Sequence, residues 1–255
     1  MSWKVLFNDN RLKVAFTLFL IWVLAVWHFR DISALTYPLV AIAIMTVFDL
    51  SITFVRDHKF YLPFSAIVTG FLIGMILDLN QPAWMVAAAA IAASFSKQFA
   101  RSGVRQHIFN PAAFGIIVVN IALGTSISWW AVAWSGWPLL ILAPLMLRIL
   151  WSMGRISMPA TFVGLYYLLS LITGGSAKVA WETIFDSTLL FFALVMLPEP
   201  MTSVARGFWK YSFGILVAVV VLVFSQFTHL AEVFLPALVA TNLIAFILRR
   251  ISKTS

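Results

Sequence analysis

Apolar residues fill ten stretches of this chain, at roughly 14–29, 34–55, 62–78, 83–97, 111–127, 131–150, 157–173, 184–198, 209–227 and 232–249. Charged residues cluster in the short gaps. Each stretch lies within or close to the span of about 17–25 residues that a transmembrane helix needs. The pattern predicts an all-α integral membrane protein of about ten transmembrane helices.

Two polar interruptions break this pattern. The first is Gln106-His107-Ile108-Phe109-Asn110-Pro111-Ala112-Ala113-Phe114-Gly115. Pro111 suits a first helical position, because that N–H has no partner inside the helix anyway. Asn110 before it is a good N-cap. The positive end of the helix dipole and its spare amides then face one spot, where a polar or anionic group can bind. Inside a membrane such backbone is tolerated only where it faces protein or a cavity. The second interruption is Leu197-Pro198-Glu199-Pro200-Met201-Thr202-Ser203. Two prolines flank an acid and stop the helix, and Thr202 and Ser203 offer capping hydroxyls.

Composition sharpens the class. The 255 residues are 62% hydrophobic and 10% charged, with a mean hydropathy of +1.00. No soluble domain of this size looks so. If the N-terminus is cytoplasmic and all ten stretches cross, fifteen basic residues face the cytoplasm: Lys4, Arg11, Lys13, Arg56, Lys59, Lys97, Arg101, Arg105, Arg148, Arg155, Arg206, Lys210, Arg249, Arg250 and Lys253. Only Arg30 and Lys178 face outward. This is a positive-inside distribution, with both termini cytoplasmic. The net charge of +8 is thus the cytoplasmic rim of a protein set in the lipid bilayer, and nucleic acid is not an expected partner. Trp84, Trp129, Trp130, Trp134, Trp137 and Trp181 fall at the outer interface, and Trp3, Trp151 and Trp209 at the inner one. They read as an aromatic belt.

On this topology Asn110 and Glu199 share the cytoplasmic side. An amide and a carboxylate there suit a heteroaromatic ring carrying donors and acceptors. The alternative is an ordinary loop in which Glu199 pairs with Arg206 or Lys210. Asp49, inside the second stretch, is a candidate for an ion path. Its alternative is a pair with a nearby base. Asn120 and Asn242 lie inside stretches and can bond between helices.

Phe109-x-Pro111-Ala112 recurs as Phe234-x-Pro236-Ala237. Two halves of five crossings, about 12–128 and 131–250, must run in opposite senses, which predicts an inverted repeat in one membrane domain. With no cysteine, thiolate-held iron–sulfur clusters and CxxCH haem attachment are excluded. No metal site is read, and the four histidines sit at stretch ends, so no haem is expected. There is no P-loop or dinucleotide fingerprint.

The ordered blocks resemble the RnfD/NqrB family, whose members are the RnfD membrane component of Rnf electron transport complexes and the NqrB membrane component of sodium-pumping NADH:quinone oxidoreductase. They are Thr69-Gly70 with Pro82-Ala83-Trp84, then Lys97 and Phe99, then Phe109-Asn110-Pro111-Ala112 and Gly115. Arg155-Ile156-Ser157 with Pro159 follows, and then Glu199-Pro200-Met201-Thr202-Ser203. The likeness runs from about 62 to 250. It implies ten spans in inverted halves, a fold related to urea transporters, and flavin bound in a bacterial cytoplasmic (inner) membrane. It places Asn110 and Glu199 against a non-covalent riboflavin, with Phe109, Pro111, Thr202, Ser203 and Lys97 around it. Other electron-transfer subunits or a reductase are the implied partners, and the chain would be a possible subunit of an oxidoreductase complex.

Two departures qualify this. Gly124-Thr125-Ser126-Ile127-Ser128 lacks the family's Ser-Gly-Ala-Thr attachment motif, so the chain reads as a short, stand-alone member without covalent FMN. Glu199 replaces an Asp, moving the carboxylate by about 1.5 Å, one C–C bond. The flavin expected is therefore riboflavin or FMN held non-covalently. The alternatives are a small-solute or flavin transporter or channel on the same fold, and a non-catalytic membrane anchor.

Overall fold

The computed structural model describes residues 9–58, 62–103, 106–173, 176–203 and 207–254. Trp3, Lys4, Lys59, Arg105 and Arg206 lie outside the described residues, as does the side chain of Lys253. Among the described residues the regular elements are helices apart from one two-stranded hairpin. It divides into two compact units. One holds the described residues up to Phe99 together with Pro111–Leu145, and the other holds Ala100–Asn110 with the chain from Met146 onward.

The first unit contains α1 (Asn10–Phe29), α2 (Ile32–Asp57), α3 (Phe64–Ile76), α4 (Ala83–Phe99), α5 (Pro111–Leu123), α6 (Trp130–Ala133) and the start of α7 (Trp137–Ser152). Asp31 caps α2, accepting from Ser33 N at 2.6 Å. Pro38 lies inside α2 and has no N–H to give the Ala34 carbonyl. Trp22 Nε1 supplies the missing donor at 2.8 Å. Small residues let helices meet closely. A methyl placed on Gly115 of α5 would stand 2.8 Å from Ala93 Cβ of α4.

Among the described residues four helices are long and apolar enough to cross a membrane: α1, α2 (Ile32–Arg56), α11 (Trp209–Phe227) and the Phe234–Ile251 part of α12. Several predicted stretches make shorter helices than expected. α3 and α5 have 13 residues each, about 20 Å at 1.5 Å per residue, against about 30 Å of hydrocarbon. Gly124, at φ +68°, ends α5. Beyond these helices Leu77 and Ile127 form an antiparallel bridge, with Asp78 N donating to Ser126 O at 3.1 Å and Ser128 N to Ile76 O at 3.0 Å. These bonds satisfy extended backbone that the sequence had placed inside helices.

The tryptophan belt needs a correction. Trp129 and Trp130 are 4% and 5% exposed, and Trp130 Nε1 donates to Gly74 O at 2.9 Å. They are core residues of the first unit. Trp84, Trp137, Trp151, Trp181 and Trp209 are exposed, as an interfacial belt requires.

The second unit contains β1 (Arg101–Gly103), β2 (Gln106–His107), the rest of α7, α8 (Ser157–Ile172), α9 (Ala177–Ile184), α10 (Ser187–Phe191), α11 and α12 (Phe234–Thr254). The stretch expected at 184–198 is bent at its start. α9 and the run Ser187–Met196 meet at a bend of 49°, because Asp186 caps a new helix start through Thr188 N at 2.9 Å and Leu189 N at 3.0 Å. After α10 the chain widens into a π-turn, Phe192–Met196. Phe192 meets Phe162 edge to face and stacks on Phe234, and Gly214 lets α11 close on Met158 O of α8.

Candidate functional site

The site begins with a missing donor. In a continuing helix the Met196 carbonyl would accept from residue 200, and Pro200 has no N–H. Met196 O is therefore available at the end of the π-turn. It accepts from Asn110 Nδ2 at 3.4 Å and from Glu199 N at 3.4 Å. Both bonds are long, yet they bring the two polar interruptions of the sequence onto one atom. A third tie is shorter: His107 N donates to Met201 O at 3.2 Å. The hairpin β1–β2, closed by Ile108 N to Ala100 O at 2.9 Å, thus presents Asn110 to the 196–203 turn.

The turn is held from within. Ser203 N donates to Glu199 O at 3.0 Å, and Thr202 Oγ1 donates to Glu199 Oε2 at 3.0 Å. Arg155, in the loop between α7 and α8, clamps it from outside. Its Nη1 donates to Pro198 O at 3.0 Å and to Ser203 Oγ at 2.7 Å. Burial lowers the pKa of the guanidinium from its ordinary value, and the nearby Glu199 carboxylate works against that shift. Arg155 is thus a charged neighbour of Glu199 that sequence reading had not offered; of the bases it did offer, Arg206 lies outside the described residues. The signal was present in the Arg155-Ile156-Ser157 block, but nothing in its spacing pointed to residue 199.

Asn242 of α12, read from the sequence as able to bond between helices but not as a site residue, also belongs here. It is fully buried, and its Oδ1 accepts the backbone N–H of Asn110 at 2.9 Å. Asn110, Thr202 and Ser203 are also buried, and Phe109 is half-buried. Together these residues offer amide donors, a carboxylate and hydroxyls in a low-dielectric setting.

The remaining predicted residues lie in the first unit. Pro111 is buried as the first residue of α5. Lys97 is engaged by Asp49: Nζ stands 2.9 Å from Oδ2, with the side chains 7% and 4% exposed. Gln98 Nε2 donates to Asp49 Oδ1 at 2.8 Å. Asp49 is therefore an ion-paired, hydrogen-bonded acid within α2, held by a base 48 residues away. Asn120 bonds locally, its Nδ2 donating to Thr125 O. Thr125 is itself 1% exposed, so the threonine that follows α5 does not present its hydroxyl to solvent. Among the described residues no group of three or more His, Cys, Asp or Glu could hold a metal.

The model of the NQR2, RnfD, RnfE family matches residues 6–143 of the chain. The match includes Asp49, Lys97 and the Asn110-Pro111 helix start, and stops short of the Arg155 and Glu199 turns. No curated protein matches the chain.

Proposed function

The chain belongs to the NQR2, RnfD, RnfE family, and we propose that it is the flavin-binding membrane subunit of an electron-transport system. It would relay electrons between a cytoplasmic donor and an acceptor in the membrane or on its outer face. The observation that carries this reading is the junction on Met196 O, where Asn110 and the Glu199 turn meet. The residues fit an uncharged flavin ring. Asn110, Asn242, Thr202 and Ser203 supply hydrogen bonds, Glu199 an acceptor, and Phe109 an apolar edge. Bound there, the flavin would supply the one- and two-electron chemistry. The protein would bind the ring, orient it and limit water around it, with Arg155 keeping the Glu199 turn in place.

Ten crossings with both termini cytoplasmic, in a bacterial inner membrane, follow from the charge distribution and belong to the same proposal. So do the partners, because a single flavin near one face does not bridge about 30 Å of hydrocarbon. Another redox protein or a reductase would complete the path.

A second reading, a small-solute carrier, has one observation in its favour. A cleft of about 220 Å³ in the second unit is lined by Tyr166, Ser170, Thr173, Thr183, Ser225 and Gln226 among others. One experiment separates the two. The protein is purified in mild detergent, its absorption spectrum recorded and its cofactors extracted. About one flavin per chain, lost in Asn110→Ala, supports electron transfer. A colourless protein that moves solute across liposomes supports the carrier.

A further inference from the structure

Asn242 is tightly constrained in the core of the second unit. A backbone N–H can only donate, so the bond from Asn110 N fixes which end of the Asn242 carboxamide faces residue 110. The Nδ2 end must point away. That nitrogen is buried and has no hydrogen-bond partner among the described residues, and the residue is 0% exposed. A buried amide donor without an acceptor is destabilising, and such groups are rare enough in native proteins to ask for an explanation. This one stands beside Asn110, one hydrogen bond from the junction on Met196 O.

We propose that Asn242 is a binding residue of this site, donating through Nδ2 to a carbonyl oxygen of the bound flavin ring. The inference rests on the flavin reading above and adds a residue and a role to it. Asn242 serves twice. Its oxygen holds the chain that carries Asn110, and its nitrogen completes the recognition of the ring. A carbonyl acceptor is the matching chemistry, because the free group is a neutral donor in a buried place.

The test uses the full-length protein in mild detergent, reconstituted with riboflavin, with Asn242→Leu as the near-isosteric variant and Asn242→Ser as a smaller one that still carries a hydroxyl. Flavin affinity, the carbonyl stretching frequencies of the bound flavin and the melting temperature are read together. The expected result is an affinity at least about tenfold weaker in Asn242→Leu. The bound flavin that remains should show a carbonyl stretch moved to higher frequency. A merely structural role would lower the melting temperature and leave that frequency in place. If Asn242→Leu does not fold, Asn242→Ser is read in the same way. Affinity and carbonyl frequencies that match wild type, while Asn110→Ala loses flavin, overturn this inference alone and assign a buried water to Nδ2. A wild-type protein that binds no riboflavin overturns both this inference and the flavin reading.

Discussion

The backbone N–H of Asn110 donates to Oδ1 of Asn242 at 2.9 Å, across 132 residues of sequence. This bond makes the last helix a support for the first polar interruption. The tie closes a long loop, and it holds only if α12 is seated. Variants that unseat α12 should therefore reach the site without touching it.

Arg155→Gln should loosen the Glu199 turn. One guanidinium nitrogen holds both Pro198 O and Ser203 Oγ, and two lost bonds at a partly buried site cost about 1–3 kcal/mol. The expected outcome is a lower melting temperature together with weaker flavin retention. Arg155→Lys should recover part of the stability only, because an ammonium is not the planar fork. Thermal unfolding in detergent with a flavin assay checks both.

Removing either partner of the Asp49–Lys97 pair should destabilise the first unit strongly. An uncompensated buried charge costs about 3–5 kcal/mol, whereas replacing both charges with apolar groups is often neutral. Asp49→Leu and Lys97→Met should each lower the melting temperature, and the double variant should restore most of it. Ion-dependent activity that survives in the double variant would remove Asp49 from any ion path.

Gly115→Val should separate α4 from α5. A Cβ at residue 115 already stands 2.8 Å from Ala93 Cβ and closer still to Ala89 O. Helix backbone does not yield as a side chain does. Overpacking of this kind costs typically about 1–3 kcal/mol, read as a fall in melting temperature.

Glu232 should make stability pH-dependent. It caps α12 through Phe234 N at 2.8 Å and Leu235 N at 3.1 Å. Burial raises its pKa to about 7, against the lowering effect of those two bonds. Between the ordinary carboxylate value of about 4.5 and about 7, the folded state holds more protons than the unfolded one. Stability from this group is fully present below that window and falls as pH rises through it. Melting temperatures at pH 5 and pH 8 should differ in that sense, and the difference should shrink in Glu232→Gln.

Much of this was legible in the sequence because apolar length and charge placement are read directly. Helix occurs in all ten predicted stretches, and Asn110 and Glu199 were singled out by their prolines. The pairing of Asp49 with a base was open in the sequence, but that Lys97, 48 residues on, is such a base was not. Asn242 was visible only as a polar residue in an apolar run, since a bond across 132 residues leaves no local pattern. The 49° break before Asp186 and the short α3 and α5 were hidden for a different reason. Hydropathy does not distinguish helix from extended backbone when both are buried. Trp129 and Trp130 misled because an interfacial tryptophan and a core tryptophan look alike until the neighbouring carbonyl is known.

The Asp49–Lys97 pair also sets an order of events during synthesis. The carboxylate is made 48 residues before its partner, an interval of a few seconds at about 5–20 residues per second. An unpaired Asp in lipid is costly, by about 2.5–3.5 kcal/mol at a helix centre on insertion scales. α2 would therefore rest beside the insertion machinery, its carboxylate still in contact with water, until α4 emerges and supplies its charge. Membrane entry of this unit is then a concerted step of helices rather than a file of independent ones.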